Sequence, residues 1–262
     1  MRIPTGHTSF LRLFFAIVCT LYLAGCSEPQ VDSIRFGLAN APANLDPRFA
    51  TDATSDRINR LLYARLVDFS DTFEPIPAIA SWKQMGSKHF RFHLNPNRSS
   101  FHDGTPLTTR DIKATYDFIL DTKNASPHRS SLNMIDHITI QDSETVDFHL
   151  NRPDLLFPSF LAIGILPAHL IQVDYPFHSQ PVGSGPFAFV ARPDETRLEL
   201  IRLKDQQKFE FLRVQEPTVR ALKLLAGEID MVQNNLPPEL VTYLAKNSRL
   251  QVQRNPETTF RM

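Results

Sequence analysis

The chain has 262 residues, with 28 basic and 28 acidic side chains and a formal net charge of +0. That balance excludes the broad basic field that nucleic acid requires, so no nucleic-acid partner is expected. With 42% hydrophobic residues the chain reads as globular, long enough for one or two domains, and 20 prolines against 9 glycines predict many fixed turns and short elements.

The N-terminus reads as an export signal. Arg2 and Arg12 precede an apolar run from Leu13 to Leu23, broken only by Thr20 and too short to span a bilayer comfortably as a permanent helix. The run ends in Leu23-Ala24-Gly25-Cys26, which is similar to a bacterial lipobox. In lipoproteins with that motif the signal is cut before the cysteine, whose thiol carries a diacylglyceryl group. Residues 1–25 are therefore expected to be a lipoprotein signal peptide and 26–32 a lipidated tether, with Cys26 as the lipidation site and the lipid as the membrane anchor. Ser27 at the next position leaves inner and outer membrane both open. Cys19 and Cys26 are the only cysteines, so the mature chain is expected to hold no free thiol and no disulfide.

Further along, Ser33 to Ala39 alternates, placing Ile34, Phe36 and Leu38 on one face of a half-buried strand. It enters a loop, Asn40 to Pro47, stiffened by Pro42 and Pro47. Ile58 to Leu66 has helical spacing, and His89 to Leu94 alternates as a strand with Phe90, Phe92 and Leu94 inward. Asp103-Gly104 is a strong turn pair. Thr108 stands three residues before Asp111, close to capping-box spacing, and Ile112, Thr115, Tyr116 and Ile119 bury one face of the helix that follows.

Ile138–Ile140 and Thr145–Leu150 flank Gln141 to Glu144 as a β-hairpin, and the apolar run Phe157 to Ile165 predicts a short buried helix. Gly183 and Gly185 flank Ser184, permitting an unusual backbone and close approach of another chain or a ligand. A phosphate loop is excluded there, because no Lys-Ser/Thr follows the glycines. From Phe209 the rhythm becomes α/β. A strand at 209–214 is followed by a helix from Pro217 to Ala226 that stops at Gly227, a strand at 229–232, a helix at 237–246 and a strand at 250–254. A parallel β-α-β unit is expected from that order.

Read together, these runs resemble the extracellular solute-binding proteins of family 5, the peptide-, dipeptide- and nickel-type receptors of ABC importers. Phe101-His102-Asp103-Gly104-Thr105-Pro106-Leu107-Thr108 is similar to the family's signature segment. Leu45-Asp46-Pro47 resembles its segment after the first strand, and Glu74 to Trp82 its Pro-x-Leu-Ala-x-x-Trp stretch. Leu166-Pro167-Ala168-His169-Leu170 and Pro181-Val182-Gly183-Ser184-Gly185-Pro186-Phe187 resemble its Val-Pro-Lys-His-Leu and Pro-Val-Gly-Thr-Gly-Pro-Tyr runs, and Gly227 to Asp230 its Gly-Glu-Ile-Asp. The chain departs from the family at Ala64 and Arg65, where an acid and a glycine are usual, and at Arg202 to Lys208, which lacks a Tyr-Trp pair.

The resemblance implies an α/β, type II periplasmic-binding-protein-like fold. Family members are roughly twice this length, beyond one compact domain. The first lobe is therefore expected to be incomplete, with an inserted α+β subdomain, and the second lobe to be absent. On that division residues 33–50 start lobe I, 51–178 form the insertion and 179–262 are the remainder of lobe I. The implied function is that of a lipid-anchored, truncated substrate-binding component of a peptide importer in the periplasm or at the cell surface. Its implied partners are a peptide ligand, ABC importer permease subunits and a separate chain supplying the missing lobe. Asn40, Ala41, Pro42, Ala43 and Asn44, with Gly183, Ser184 and Gly185, are the implied ligand-binding residues, acting mainly through backbone bonds that suit peptides of varied sequence. The rival is a truncated lipoprotein that does not transport and serves as a structural or interaction module. Dipeptide, longer peptide, nickel chelate and haem all stay open as ligands.

No enzyme chemistry is expected, and no cofactor. Gly183-Ser184-Gly185 lacks the spacing of a nucleophile elbow. His89 and His93 share the polar face of their strand, but no third ligand is evident in the sequence and no metal is expected.

Overall fold

A computed structural model describes residues 33–234 and 236–253. The expected signal peptide, the tether, Cys26 and the end of the strand expected at 250–254 lie outside the described residues.

Two main sheets organise the chain. The first is centred on β1 (Ile34–Leu38), which pairs in parallel with β10 (Lys208–Arg213), Ile34 opposite Phe209 and Leu38 opposite Arg213. β11 (Met231–Val232) pairs in parallel on the other side of β1, while β9 (Arg197–Arg202) and β8 (Phe187–Asp194) extend the sheet antiparallel beyond β10. Helix α1 (Ala53–Leu62) covers this sheet, and Leu38, Leu45, Ile58, Leu62, Leu198 and Leu200 form the heart of the core.

The second sheet is antiparallel. β4 (Ala80–Gly86) pairs with β5 (His89–Leu94), β5 with β7 (Thr145–Leu150), and β7 with β6 (Ile135–Ile140), in the order β4-β5-β7-β6. Phe90, Phe92 and Leu94 point inward as the alternation requires. Helix α2 (Thr109–Leu120) closes the apolar face with Ile112, Thr115, Tyr116 and Ile119, all fully buried. Its start is capped as the sequence predicts, Thr108 N–H donating to Asp111 Oδ2 at 2.7 Å. Phe92, Phe148 and Phe157 meet at centroid distances of 5.3 to 6.5 Å, in edge or tilted contacts that aromatic rings favour.

The parallel unit at the C-terminal side is as expected. Helix α4 (Pro217–Ala226) starts on its proline and ends at Gly227, whose φ of 72° is the left-handed cap glycine permits. A single helical turn, α3 (Ala168–Ile171), precedes it, and α5 (Pro238–Leu244) follows β11.

Four expectations change. α1 begins at Ala53, five residues before Ile58, because Asp52 accepts from the N–H groups of Thr54 and Ser55 and so caps it; it ends at Leu62, with Tyr63 extended. The helix expected at 157–165 is one 3-10 turn, Phe157–Phe160, after which the chain extends and Gly164 bridges to Arg65. Residues 250–253 form no strand. Finally, Ile58, Leu62, Tyr63, Leu166 and Phe177 belong to the first core, whereas the second core runs from Leu66 to Ile165. The segment packing around the four-stranded sheet is therefore narrower than 51–178. A small two-stranded sheet, β2 (Val67–Phe69) with β3 (Pro75–Pro77), was not expected at all.

Candidate functional site

The loop leaving β1 combines exposed residues with a rigid footing. Asn40 and Ala43 are exposed, Ala41 and Asn44 half-buried, and Pro42 buried. Beneath them, Asp46 and Arg48 form an ion pair with only 4% of each residue exposed, Arg48 Nη2 lying 2.6 Å from Asp46 Oδ2. The guanidinium also sits 3.8 Å above the Phe118 ring, so α2 supplies one wall of its pocket. The Asp of the Leu-Asp-Pro run thus works locally, holding an arginine that is itself wedged among aromatics.

The backbone of the same loop is tied at several further points. Arg192 Nη2 donates to the Pro42 carbonyl at 3.1 Å and the Asn44 N–H donates to Ser55 Oγ at 3.0 Å. Asn44 Oδ1 accepts from the Asp46 N–H, and Tyr63 Oη donates to the Leu45 carbonyl at 3.0 Å. Burial pushes the Tyr63 phenol well above its ordinary range, so it stays a protonated donor. Asp52, at the foot of the loop, is raised by burial but held below the usual carboxylate range overall by hydrogen bonds from Ser55 and Thr54.

A shallow concavity opens beside this loop. Ala41 and Pro42 form one side, and Arg192, Arg197 and Arg213 bring three guanidiniums to the others, with Glu195 among them. Arg197 is paired with Glu199 at 3.4 Å. The arrangement places the exposed Asn40 and Ala43 of a fixed loop beside three arginines, side chains of the kind that bind carboxylates. No signal in the chain's early residues points to these arginines, because they come from the end of β8, the start of β9 and the end of β10.

The other predicted loop has a different setting. Gly183, Ser184 and Gly185 are buried against the C-terminal end of α1, the Gly185 N–H donating to the Leu62 carbonyl at 2.9 Å. A Cβ on Gly183 would lie 2.0 Å from that carbonyl oxygen, and one on Gly185 would lie 2.3 Å from the Leu61 oxygen. Neither glycine has a positive φ. The close approach anticipated for these glycines is thus an approach by the chain's own helix. Asn44 touches α1 at Ser55 and Gly185 touches it at Leu62, on the order of 10 Å apart along the helix axis. The two predicted loops are therefore held by opposite ends of α1.

The signature segment clamps the glycine loop from the other side. The His102 N–H donates to the Gly183 carbonyl at 2.7 Å, His102 Nδ1 accepts from the Gly183 N–H at 3.3 Å, and Nε2 lies 3.0 Å from the Gly185 carbonyl. These partners assign a neutral ring with its proton on Nε2. Burial pushes His102 below the ordinary imidazole range, against the opposing pull of the Gly185 carbonyl and Asp103. Asp103 in turn pairs with His169 at 3.1 Å and accepts from Thr105. His-Asp-Gly-Thr is a brace between α3, the glycine loop and its own turn.

A third constellation lies on the polar face of the four-stranded sheet. His89, His149 and Asp147 bring potential ligand atoms within 4.8 Å of one another. His93, the partner considered from sequence spacing, lies instead beside Thr145 at 3.3 Å. The further ligand candidates come from β7, whose pairing with β5 sequence spacing does not reveal.

A parallel-centred sheet with an antiparallel sheet inserted into its chain is the architecture of the type II periplasmic binding proteins. The chain belongs to the bacterial extracellular solute-binding proteins, family 5, whose middle-region profile matches residues 72–262. It is 27% identical over 232 residues to the glutathione-binding protein GsiB of Pectobacterium atrosepticum, covering 83% of this chain and 45% of that protein. It is 23% identical over 251 residues to the periplasmic murein peptide-binding protein MppA of Escherichia coli, covering 84% and 46%. The fold matches the oligopeptide-binding protein AppA of Bacillus subtilis with a TM-score of 0.75 at 21% identity, over 82% of this chain and 46% of that one. The chain thus spans about half the length of the curated relatives it matches.

Proposed function

We propose that the chain acts as a lipid-anchored substrate-binding component of a peptide ABC importer. The observation that carries this reading is the loop 40–44, with Asn40 and Ala43 exposed, pinned by the Asp46–Arg48 pair and lying beside Arg192, Arg197 and Arg213. The family match, and relatives named for binding glutathione and murein peptide, support a short peptide as the solute. In this reading an extended ligand lies along the loop Asn40 to Asn44 and bonds its backbone at Asn40 and Ala41, ahead of the groups already tied to Arg192, Asp52 and Ser55, and its carboxylate meets the arginines. Gly183 to Gly185 contribute indirectly, by fixing α1 beneath the loop. Cys26 carries the lipid, and the permease subunits of the importer receive the solute.

The test is native purification of the full chain, followed by denaturation and mass spectrometry of what is released. A discrete set of peptides is expected, with their release lost in an Arg192→Ala/Arg213→Ala double variant that still folds. A protein that emerges empty and stays empty after incubation with a peptide mixture contradicts the proposal. Incorporation of labelled fatty acid, abolished by Cys26→Ala, checks the anchor separately.

A further inference from the structure

The polar face of the four-stranded sheet carries an ordered row of histidines that solute binding leaves unused. Register creates it. His149 on β7 lies directly opposite His89 on β5 and opposite His137 on β6. The three rings stack across the strands, with centroids 4.5 and 4.3 Å apart and interplanar angles of 22° and 10°. Side chains two apart on a strand share a face, so Asp147 stands next to His149 and opposite Arg91.

The acid is held in place before any ligand arrives. Only 2% of the Asp147 side chain is exposed, and Arg91 donates to both its oxygens at 2.7 and 2.8 Å, with Gln141 Nε2 at 3.0 Å from Oδ2. His89 Nε2 lies 3.1 Å from that same Oδ2, yet it is buried and makes no hydrogen bond of acceptable geometry. A ring nitrogen close to a carboxylate oxygen but off the line of a good hydrogen bond is a pair that a shared cation can satisfy.

We propose that His89, His149 and Asp147 bind one divalent transition-metal ion of the nickel–copper–zinc group. Two imidazoles and one carboxylate are a donor set suited to those ions, with water as the remaining ligand. Bonds of about 2.0–2.2 Å require ligand atoms roughly 3–3.5 Å apart. The three candidate atoms lie within 4.8 Å, and the partly exposed His89 and His149 rings, stacked at 22°, would rotate apart to turn their in-plane lone pairs onto one ion beside the buried Asp147. Asp147 would keep its Oδ1 bond to Arg91 Nε, while Oδ2 exchanges its bonds from Arg91 Nη2 and Gln141 Nε2 for the metal. His137 acts as a positioning residue: its ring packs on His149, and its Nδ1 is oriented by Asp136 at 2.8 Å. The ion would tie β5 to β7 independently of any solute bound beside β1.

The experiment uses the full chain, stripped with chelator and titrated with Zn2+ by calorimetry. One site is expected. His89→Ala and His149→Ala should each weaken it by at least the roughly 10–100-fold that loss of even an outer-shell partner costs. His93→Ala, on the same face but outside the cluster, should stay within about twofold, a change too small to signal a lost ligand. Arg91→Gln, which releases Asp147 from its competing cation, should bind more tightly than the parent. Cu2+ added instead should show electron paramagnetic coupling to two imidazole nitrogens, reduced to one in the conservative variant His149→Gln. Parent-like affinity in both His89→Ala and His149→Ala, or no Zn2+ binding by the parent, overturns the proposal.

Discussion

The two sheets solve the problem of a polar surface in opposite ways. Around the five-stranded sheet, polar side chains are spent on fixing backbone: Arg48, Asp46, Tyr63, Ser55 and His102 each hold a loop carbonyl, amide or neighbouring charge. On the four-stranded sheet the backbone is already satisfied by strand pairing, so His89, His149 and His137 are free to form a surface of their own. The difference follows from topology. β1 and β10 pair across more than half the chain, so the connections between them are long and need pinning. β6 and β7 are joined by a tight turn and need none. Loops that must be both exposed and rigid acquire buried charges beneath them.

The comparison breaks first at Arg48. Arg48→Met should destabilise the protein by about 3–5 kcal/mol, because it strands the Asp46 carboxylate in a buried site; urea denaturation measures it. Gly183→Ala should cost about 1–3 kcal/mol or more, since its Cβ meets the Leu62 backbone oxygen and backbone cannot swing aside. Gly104→Ala sharpens the point. That glycine has a φ of 86° and open space around it, so only the conformational cost of about 1–2 kcal/mol is expected. A larger loss at Gly104 than at Gly183 would contradict the packing described for α1. Asp52→Ala should remove about 0.5–2 kcal/mol by uncapping α1, again by denaturation.

Acid adds a further test. The folded-state pKa of His102 is depressed, so its neutral ring contributes stability fully above the ordinary value near 6.5, and that contribution is lost as pH falls from there toward the folded value. Replacing it by Gln should therefore flatten the decline in stability between about pH 7 and 5, the window set by an unperturbed imidazole. On the other sheet, His93→Ala should change stability by no more than about 0.5 kcal/mol, as for an ordinary surface site.

Much of this was legible in the chain and some was not. β5, the β6–β7 hairpin and the buried face of α2 follow from alternation and capping, because local pattern and tertiary burial agree there. α4 is bounded by Pro217 and Gly227, whose backbone preferences act without help from the fold. The start of α1 was missed because Asp52 and Ser55 cap it ahead of the first apolar residue. The run 157–165 is apolar all round, which cannot distinguish helix from buried extended chain; Pro158 and the tight contact of Gly164 with Tyr63 decide it. The candidate loop 40–44 could be picked out by its prolines and its family resemblance, but its arginine rim could not, since residues 192–213 reach it only through the β1–β10 pairing. The same holds for His89 and His149, which spacing alone never brings together.

Backbone hydrogen exchange on the full chain, with and without a mixture of short peptides, tests the ligand assignment most directly. The expected result is added protection at residues 40–44 and along the Arg192–Arg197 turn, with no change at His89 or His149. Protection that leaves residues 40–44 untouched, or no peptide-dependent protection anywhere, would contradict a solute site beside β1.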